Sequence, residues 1–282
     1  MELFASLFLI IACSSSEQPK QSTPVTSSND SAEPPENIAS PIVAAHSWNP
    51  EYDRSVTIGN PLKGFFSSPF WGEPGQNLPH SMEFVYVPIK DLLPQQGQYR
   101  FEDGLEPLLQ AAESRDNHTI LRVYLDYPNY ETGMPDWLLE SAGCTVYTEH
   151  GGGCSPNYES PILQETLLDF ITALGARYDG DPRLGFLQLG LIGYWGEWHT
   201  WPNEEQFASR DFQQAIIEAY DSAFDHTELL IRYPMQDTNQ RDFGFHDDSF
   251  GQATLGEESW YFLPLLEAAG ANEHWRFAPI GG

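Results

Sequence analysis

The run over residues 184–200, LGFLQLGLIGYWGEWHT, constrains the fold more than any other stretch of this chain. Its first ten residues are almost wholly apolar and punctuated by glycine. That pattern suits a short strand buried on both faces and is too short for a helix. The run then ends in Tyr194, Trp195, Gly196, Glu197, Trp198, His199 and Thr200. Parallel α/β folds place ligand chemistry at the carboxyl ends of their strands. A carboxylate and an imidazole among three large aromatic rings therefore make Glu197 the first candidate catalytic residue.

Around this run, from Ser55 onward, short apolar runs alternate with amphipathic ones. A turn over 60–66 leads into a first strand, and 83–89 and 119–127 read as the second and third. The fourth is the run itself; 228–233, 242–246 and 275–280 read as the fifth to seventh. Helical spacing is expected over 101–116, where Leu105, Leu108, Leu109 and Ala112 share a face, and over 204–224 and 261–269. The clearest helix is 161–178: Pro161 follows Ser160, and Leu163, Leu167, Phe170, Ile171 and Leu174 form its stripe. Strands alternating with helices imply parallel pairing. With no GxGxxG or P-loop after any strand, the pattern predicts an α/β fold of the (β/α)8 TIM-barrel type. The eighth strand is missing, so the chain reads as a barrel truncated after strand seven, its incomplete domain spanning 46–282.

Charge narrows the partners. With 41 Asp and Glu against 13 Lys and Arg, binding to a nucleic-acid backbone or an anionic membrane surface is electrostatically disfavoured. The apolar opening MELFASLFLIIA closes on Cys13, and Ile10, Ile11, Ala12, Cys13 resembles a bacterial lipobox. That resemblance implies lipidation at Cys13, export to the cell envelope, and contact with the membrane only through the lipid anchor. Residues 14–45, rich in Ser, Pro and Glu, have too little apolar surface to fold and read as a tether. Cys144 and Cys154 bracket a nine-residue Gly-rich loop that a disulfide could close. Two free thiols, or a metal pair with His150, are the alternatives.

The chemistry expected of these strand ends is general acid–base work on a polar ligand. Glu197 is the candidate general acid/base, its proton affinity raised by the apolar walls of Trp195 and Trp198, whose rings would also stack on sugar faces. On the third strand Arg122, Tyr124 and Asp126 share the inner face by the period of two. Arg122 is expected to pair with a carboxylate such as Glu83, and Asp126, nearer the mouth, to contact the ligand. Arg232 and Tyr233 end the fifth strand, and His246, Asp247 and Asp248 follow the sixth; Arg232, Tyr233, Asp247 and His199 complete the expected ligand-contacting set. Glu197 and His199 with Asp247 or Asp248 make no specific metal pattern, since no HExxH or second spaced His is present, so neither a metal nor a cofactor is expected. No GxSxG elbow occurs.

Two resemblances add to this reading. In layout the chain resembles the large retaining glycoside hydrolase clan, whose acid/base carboxylate ends strand four and whose nucleophile ends strand seven. In motifs it is similar to an uncharacterised family of secreted bacterial barrel proteins: NPLKGF from Asn60, GYWGEWHT from Gly193, FGFHDDSF from Phe243 and APIGG from Ala278. The second resemblance covers nearly everything after Ser55 and brings no established substrate. The clan usually carries Asn where this chain has Gly196, so the carry-over to Glu197 is positional. Hydrolysis of an oligo- or polysaccharide is the leading expectation. The rivals are a non-catalytic glycan-binding barrel and a structural surface lipoprotein. The clan layout further implies a partner carboxylate beyond Gly282, which would leave the chain as written inactive.

Overall fold

The computed structural model describes residues 62–70 and 80–282. The expected leader and lipidated Cys13, the tether over 14–45, and Asn60 and Pro61 lie outside the described residues. Seven strands form one parallel sheet: β1 (Phe66–Ser67), β2 (Met82–Pro88), β3 (His118–Tyr124), β6 (Leu184–Gln188), β7 (Glu228–Ile231), β8 (Gly244–His246) and β9 (Ile280–Gly281), in that order. Between β3 and β6 the chain adds an antiparallel hairpin, β4 (Cys144–Tyr147) and β5 (Gly153–Pro156). One cavity is lined from Phe66 on β1, through β2, β3, β6, β7 and β8, to Ile280 on β9. A flat sheet cannot surround a single cavity with all seven strands, so the sheet is curled, as in a (β/α)8-type barrel. Among the described residues no pairing joins β1 to β9.

The period of two divides the sheet into an outer and an inner layer. Val85, Val87, Leu121, Val123, Leu187, Leu229, Ile231 and Phe245 belong to the large outer core. There they meet the helices, chiefly α5 (Pro161–Tyr178) through Leu163, Leu167, Phe170, Ile171 and Leu174, and α6 (Arg210–Ala223) through Phe212, Ile216, Ile217 and Tyr220. On the inner face Met82, Phe84, Ile120, Phe186 and Leu230 make a second, smaller core. Towards the carboxyl ends this inner face turns polar: Tyr86 is in register with Arg122, and Arg122 with Gln188. An apolar layer thus underlies a polar one on the same inner face, the division expected of a barrel whose chemistry sits at one end.

Several boundaries differ from the sequence reading. The helix expected over 101–116 is two, α2 (Phe101–Gly104) and α3 (Glu106–Glu113). A Cβ at Gly104 would lie 2.6 Å from the Asp91 carbonyl oxygen, and Pro107 lacks the N–H that a continuous helix would need. The expected helix over 204–224 begins as a helix only at Arg210, after Ser209. The expected seventh strand shrinks to Ile280–Gly281, because His274–Arg276 forms a short 3-10 turn and Pro279 has no N–H to give to a ladder. The Gly-rich loop between the cysteines is the β4–β5 hairpin, where Cys144 and Cys154 are bridged with their Cα atoms 5.4 Å apart.

A disulfide closing a loop this short is worth about 2–3 kcal/mol, chiefly by constraining the unfolded chain. Thermal unfolding should therefore occur at lower temperature in the presence of a dithiol reductant, and a Cys144→Ser, Cys154→Ser double variant should show the same lowering without responding to reductant.

Candidate functional site

After Gln188 the chain leaves the sheet and winds through a loop that carries Glu197. Leu191, Trp195 and Trp198 adopt positive φ of 68°, 55° and 61°, with Gly193 and Gly196 at 84° and 70°. Each bulky residue held there costs on the order of 1–2 kcal/mol, so the loop persists only where its surroundings over-determine it. They do so through hydrogen bonds. The N–H of Tyr194 donates to the His199 carbonyl (2.8 Å), that of Trp195 to the Asp126 carbonyl (2.9 Å), that of Glu197 to the Tyr194 carbonyl (2.8 Å), and that of Gly193 to the Tyr158 hydroxyl (2.8 Å). Gly196 has to be small as well as left-handed: a Cβ there would approach Gly190 Cα to 3.1 Å and Arg122 Cδ to 3.4 Å. A glycine at this position follows from the backbone path.

The loop delivers Glu197 to the cavity of about 650 Å³ on the inner face of the sheet. Behind its lining residues Tyr86, Gln188, His246 and Asp248 lies Arg122 from β3, fully buried. Its Nε donates to Gln188 Oε1 (2.7 Å), its Nη1 to Tyr86 Oη (3.1 Å), and its Nη2 to Asp248 Oδ1 (2.6 Å) and His246 Nδ1 (3.1 Å). Glu197 Oε1 is 3.5 Å from Nη1. Phe84 and Tyr86 present their ring faces to the guanidinium at 5.4 and 5.2 Å. Arg122 thus pairs with Asp248 and Glu197, whereas Glu83, its expected partner, is held by Arg115 (2.6 Å) and Asn117 (2.9 Å) at the opposite end of its strand. Two carboxylates bound to the two terminal nitrogens of one rigid fork lie within roughly 8 Å of each other.

Their protonation is driven apart. Burial, then the negative charge of Asp248, push the Glu197 carboxyl above the usual carboxylate range, with His199 and Arg122 pulling the other way. Burial would also raise Asp248, but Arg122, His246 and Arg232 outweigh it and hold that carboxyl far below the usual range. His246, fully enclosed, is pushed down to about 4 by burial. Its Nδ1 lies 3.1 Å from Arg122 Nη2 and 3.3 Å from Asp248 Oδ2. Divergent proton affinities in adjacent carboxylates are how one site supplies both an acid and an ionised partner.

The remaining expected residues divide. His199 lies with Nε2 3.6 Å from Glu197 Oε2. Its Nδ1 accepts the Trp201 N–H (3.3 Å), so the neutral ring carries its proton on the side facing Glu197. Asp247 lines the cavity and accepts from the Ser249 N–H (3.0 Å) and the Thr254 hydroxyl (2.5 Å). Arg232, just beyond β7, bridges Asp247 (3.6 Å) and Asp248 (3.0 Å) and stacks on Tyr233 at 4.8 Å. Trp198 is packed in the outer core, its Nε1–H on the Leu189 carbonyl, and Trp195 packs against His150 and His199. Neither indole lines the Glu197 cavity, whose aromatic lining is Phe66, Phe84, Tyr86, Phe186, Phe250 and Trp275 instead. Asp126 lies under the hairpin and accepts from Tyr147 Oη at 2.8 Å. Tyr86 and Gln188 went unselected in the sequence, although inner-face phase carried from Arg122 to the paired strands would have found them; Asp248 is noted after the sixth strand but stands outside the expected ligand-contacting set. No group of three metal-ligating side chains is present among the described residues, and no helix there is long and apolar enough to cross a membrane.

No family model matches the chain, and no curated protein matches it. Among solved structures it is similar to endo-glycoceramidase II from Rhodococcus sp. in complex with ganglioside GM3, at 14% identity and a TM-score of 0.46, covering 71% of this chain and 57% of that one. It is also similar to a GH5_18 protein from Streptomyces cattleya in complex with GlcNAc, at 14% identity and a TM-score of 0.42, covering 61% of this chain and 44% of the other. A GH5_18 protein from Bifidobacterium longum subsp. longum matches at 13% identity and a TM-score of 0.41, over 62% of this chain and 43% of that one. The chain therefore spans less than two thirds of each of these proteins, and the likeness extends to fold alone.

Asp126 gives the site's surroundings a pH signature. Burial raises its carboxyl to about 6, above its unfolded value, so the folded state binds the extra proton and stability falls as pH rises from about 4 through 6. Relative to the parent, Asp126→Asn should gain about 2–3 kcal/mol between pH 4 and pH 7. Denaturant unfolding of both proteins at the two pH values measures this difference.

Proposed function

We propose that the inner-face cavity is a carbohydrate site and that the chain is a glycoside hydrolase-like barrel, with Glu197 as general acid. The observation that carries this reading is the pair of carboxylates on Arg122: Glu197 held towards its protonated form and Asp248 held ionised. Glycoside hydrolysis needs a protonated carboxyl to reach the glycosidic oxygen, and negative charge near the sugar as it becomes oxocarbenium-like. Glu197 meets the first need from a position with 19% of its side chain exposed to the cavity. Asp248 meets the second and, by its charge, keeps the proton on Glu197 at a pH where an ordinary glutamate has lost it. Tyr86, Phe250 and Trp275 supply ring surface and Asp247 a hydroxyl acceptor. The polar upper layer also distinguishes this barrel from a purely structural one, which would fill the same end with apolar side chains. The lipobox-like Ile10 to Cys13 fits such a protein acting at the cell envelope.

A non-catalytic glycan-binding barrel is the second reading, and one observation favours it. Asp248 is tied to Arg122 and Arg232 at 2.6 and 3.0 Å, which makes it a poor nucleophile.

Hydrolysis of a panel of oligosaccharides and aryl glycosides by the full chain separates the two. If Glu197 is the acid, Glu197→Gln lowers kcat by about 10² to 10⁴ while glycan binding persists. The rate should fall as pH rises through the elevated Glu197 value. Asp248→Asn should move that alkaline limb to lower pH, because it removes the negative charge that raises Glu197 and leaves Arg122 unopposed. Binding without hydrolysis in the parent, unaltered by Glu197→Gln, would establish the binding barrel instead.

A further inference from the structure

A second cavity, of about 510 Å³, is lined by His199, Trp201, Glu204, Arg210, Gln213 and Tyr233. His199 stands between the two: it lines this groove, and its Nε2 is 3.6 Å from Glu197, which lines the central cavity. The groove is therefore one side chain away from the candidate acid.

Three features give it the chemistry of a sugar site. Trp201 is 61% exposed, yet it is held in place. Its N–H donates to His199 Nδ1, its carbonyl is bonded by His150 Nε2 at 2.8 Å, and the His150 ring packs beside the indole with centroids 5.8 Å apart. A large apolar ring kept in water on a fixed backbone loses little entropy when a ligand covers it. Polar groups surround it. Gln213 gives its Nε2–H to the Ala208 carbonyl, leaving its amide oxygen uncommitted. Arg210, in a chain with 41 acidic residues, has no ion pair among the described residues, where its guanidinium has one hydrogen bond, to the Met235 sulfur at 3.9 Å. An indole face bordered by uncommitted polar groups matches a pyranose, which has an apolar C–H face and a rim of hydroxyls.

We infer that the groove beside Trp201 is a second sugar subsite, so that the ligand is an oligosaccharide lying across Glu197 with units in both the central cavity and the groove. This rests on the carbohydrate reading of the central cavity and extends it: the site takes internal stretches of a chain rather than a single terminal residue.

Ladders of cello-, manno-, xylo- and chito-oligosaccharides from two to six units test it by calorimetry, in the Glu197→Gln background so that no hydrolysis intervenes. The subsite predicts that affinity for at least one ladder climbs on the order of tenfold as the ligand grows long enough to reach Trp201. Trp201→Ala should abolish that climb. Trp260→Ala, which removes an exposed indole lining neither cavity, should keep it. A climb that survives Trp201→Ala, or affinity that does not depend on length, overturns the groove while leaving the central cavity as a glycan site. Failure of every ladder to bind overturns both.

Discussion

The site depends on one buried cation. Arg122 sits on the third barrel strand with no exposure to water, and taking a guanidinium out of solvent costs several kcal/mol unless its donors and its charge are answered. The answers come from three strands and the segments that follow two of them: Tyr86 from β2, Gln188 from β6, His246 from β8, and Asp248 and Glu197 from beyond β8 and β6. The demand for partners thus fixes the register of the upper barrel and draws two carboxylates onto one fork. Removing the arginine would leave Asp248 with Arg232 as its remaining ion-pair partner beside His246, and would free Glu197 of its cation.

Strain in the Glu197 loop is the counterpart of that rigidity. Three bulky residues in the left-handed region persist because the loop is bonded to β3, to Tyr158 and to itself. The hairpin closes it from above, with Tyr147 on Asp126, Glu149 on Asn203 and His150 on the Trp201 carbonyl. The Cys144–Cys154 bridge therefore acts on the site at one remove, by stapling the hairpin that covers the loop.

Much of this was legible in the sequence. The helix Pro161–Tyr178 appears with the bounds its capping and stripe indicate, and the alternation of strands and helices gives the parallel sheet. The inward phase of Arg122 followed from the period of two. Its partner did not, because Asp248 lies 126 residues away and no local pattern reports which of several carboxylates a barrel closes upon. The two tryptophans beside Glu197 suggested stacking platforms, but position along the chain does not say which way a left-handed turn throws a side chain. Trp198 turned into the core, and Trp201, beyond the motif, took the exposed place. The expected seventh strand overruns because apolar content cannot reveal that Trp275 and Phe277 lie exposed on a 3-10 turn and its exit.

The account turns on one arginine holding two carboxylates at opposite ends of their proton affinity. Carboxyl ¹³C NMR through a pH titration, assigned with Glu197→Gln and Asp248→Asn, measures that directly. The account predicts that Glu197 titrates above the ordinary glutamate value while Asp248 shows no titration down to the lowest pH at which the fold survives. Both carboxyls titrating together near pH 4, as two independent solvated acids would, contradicts it.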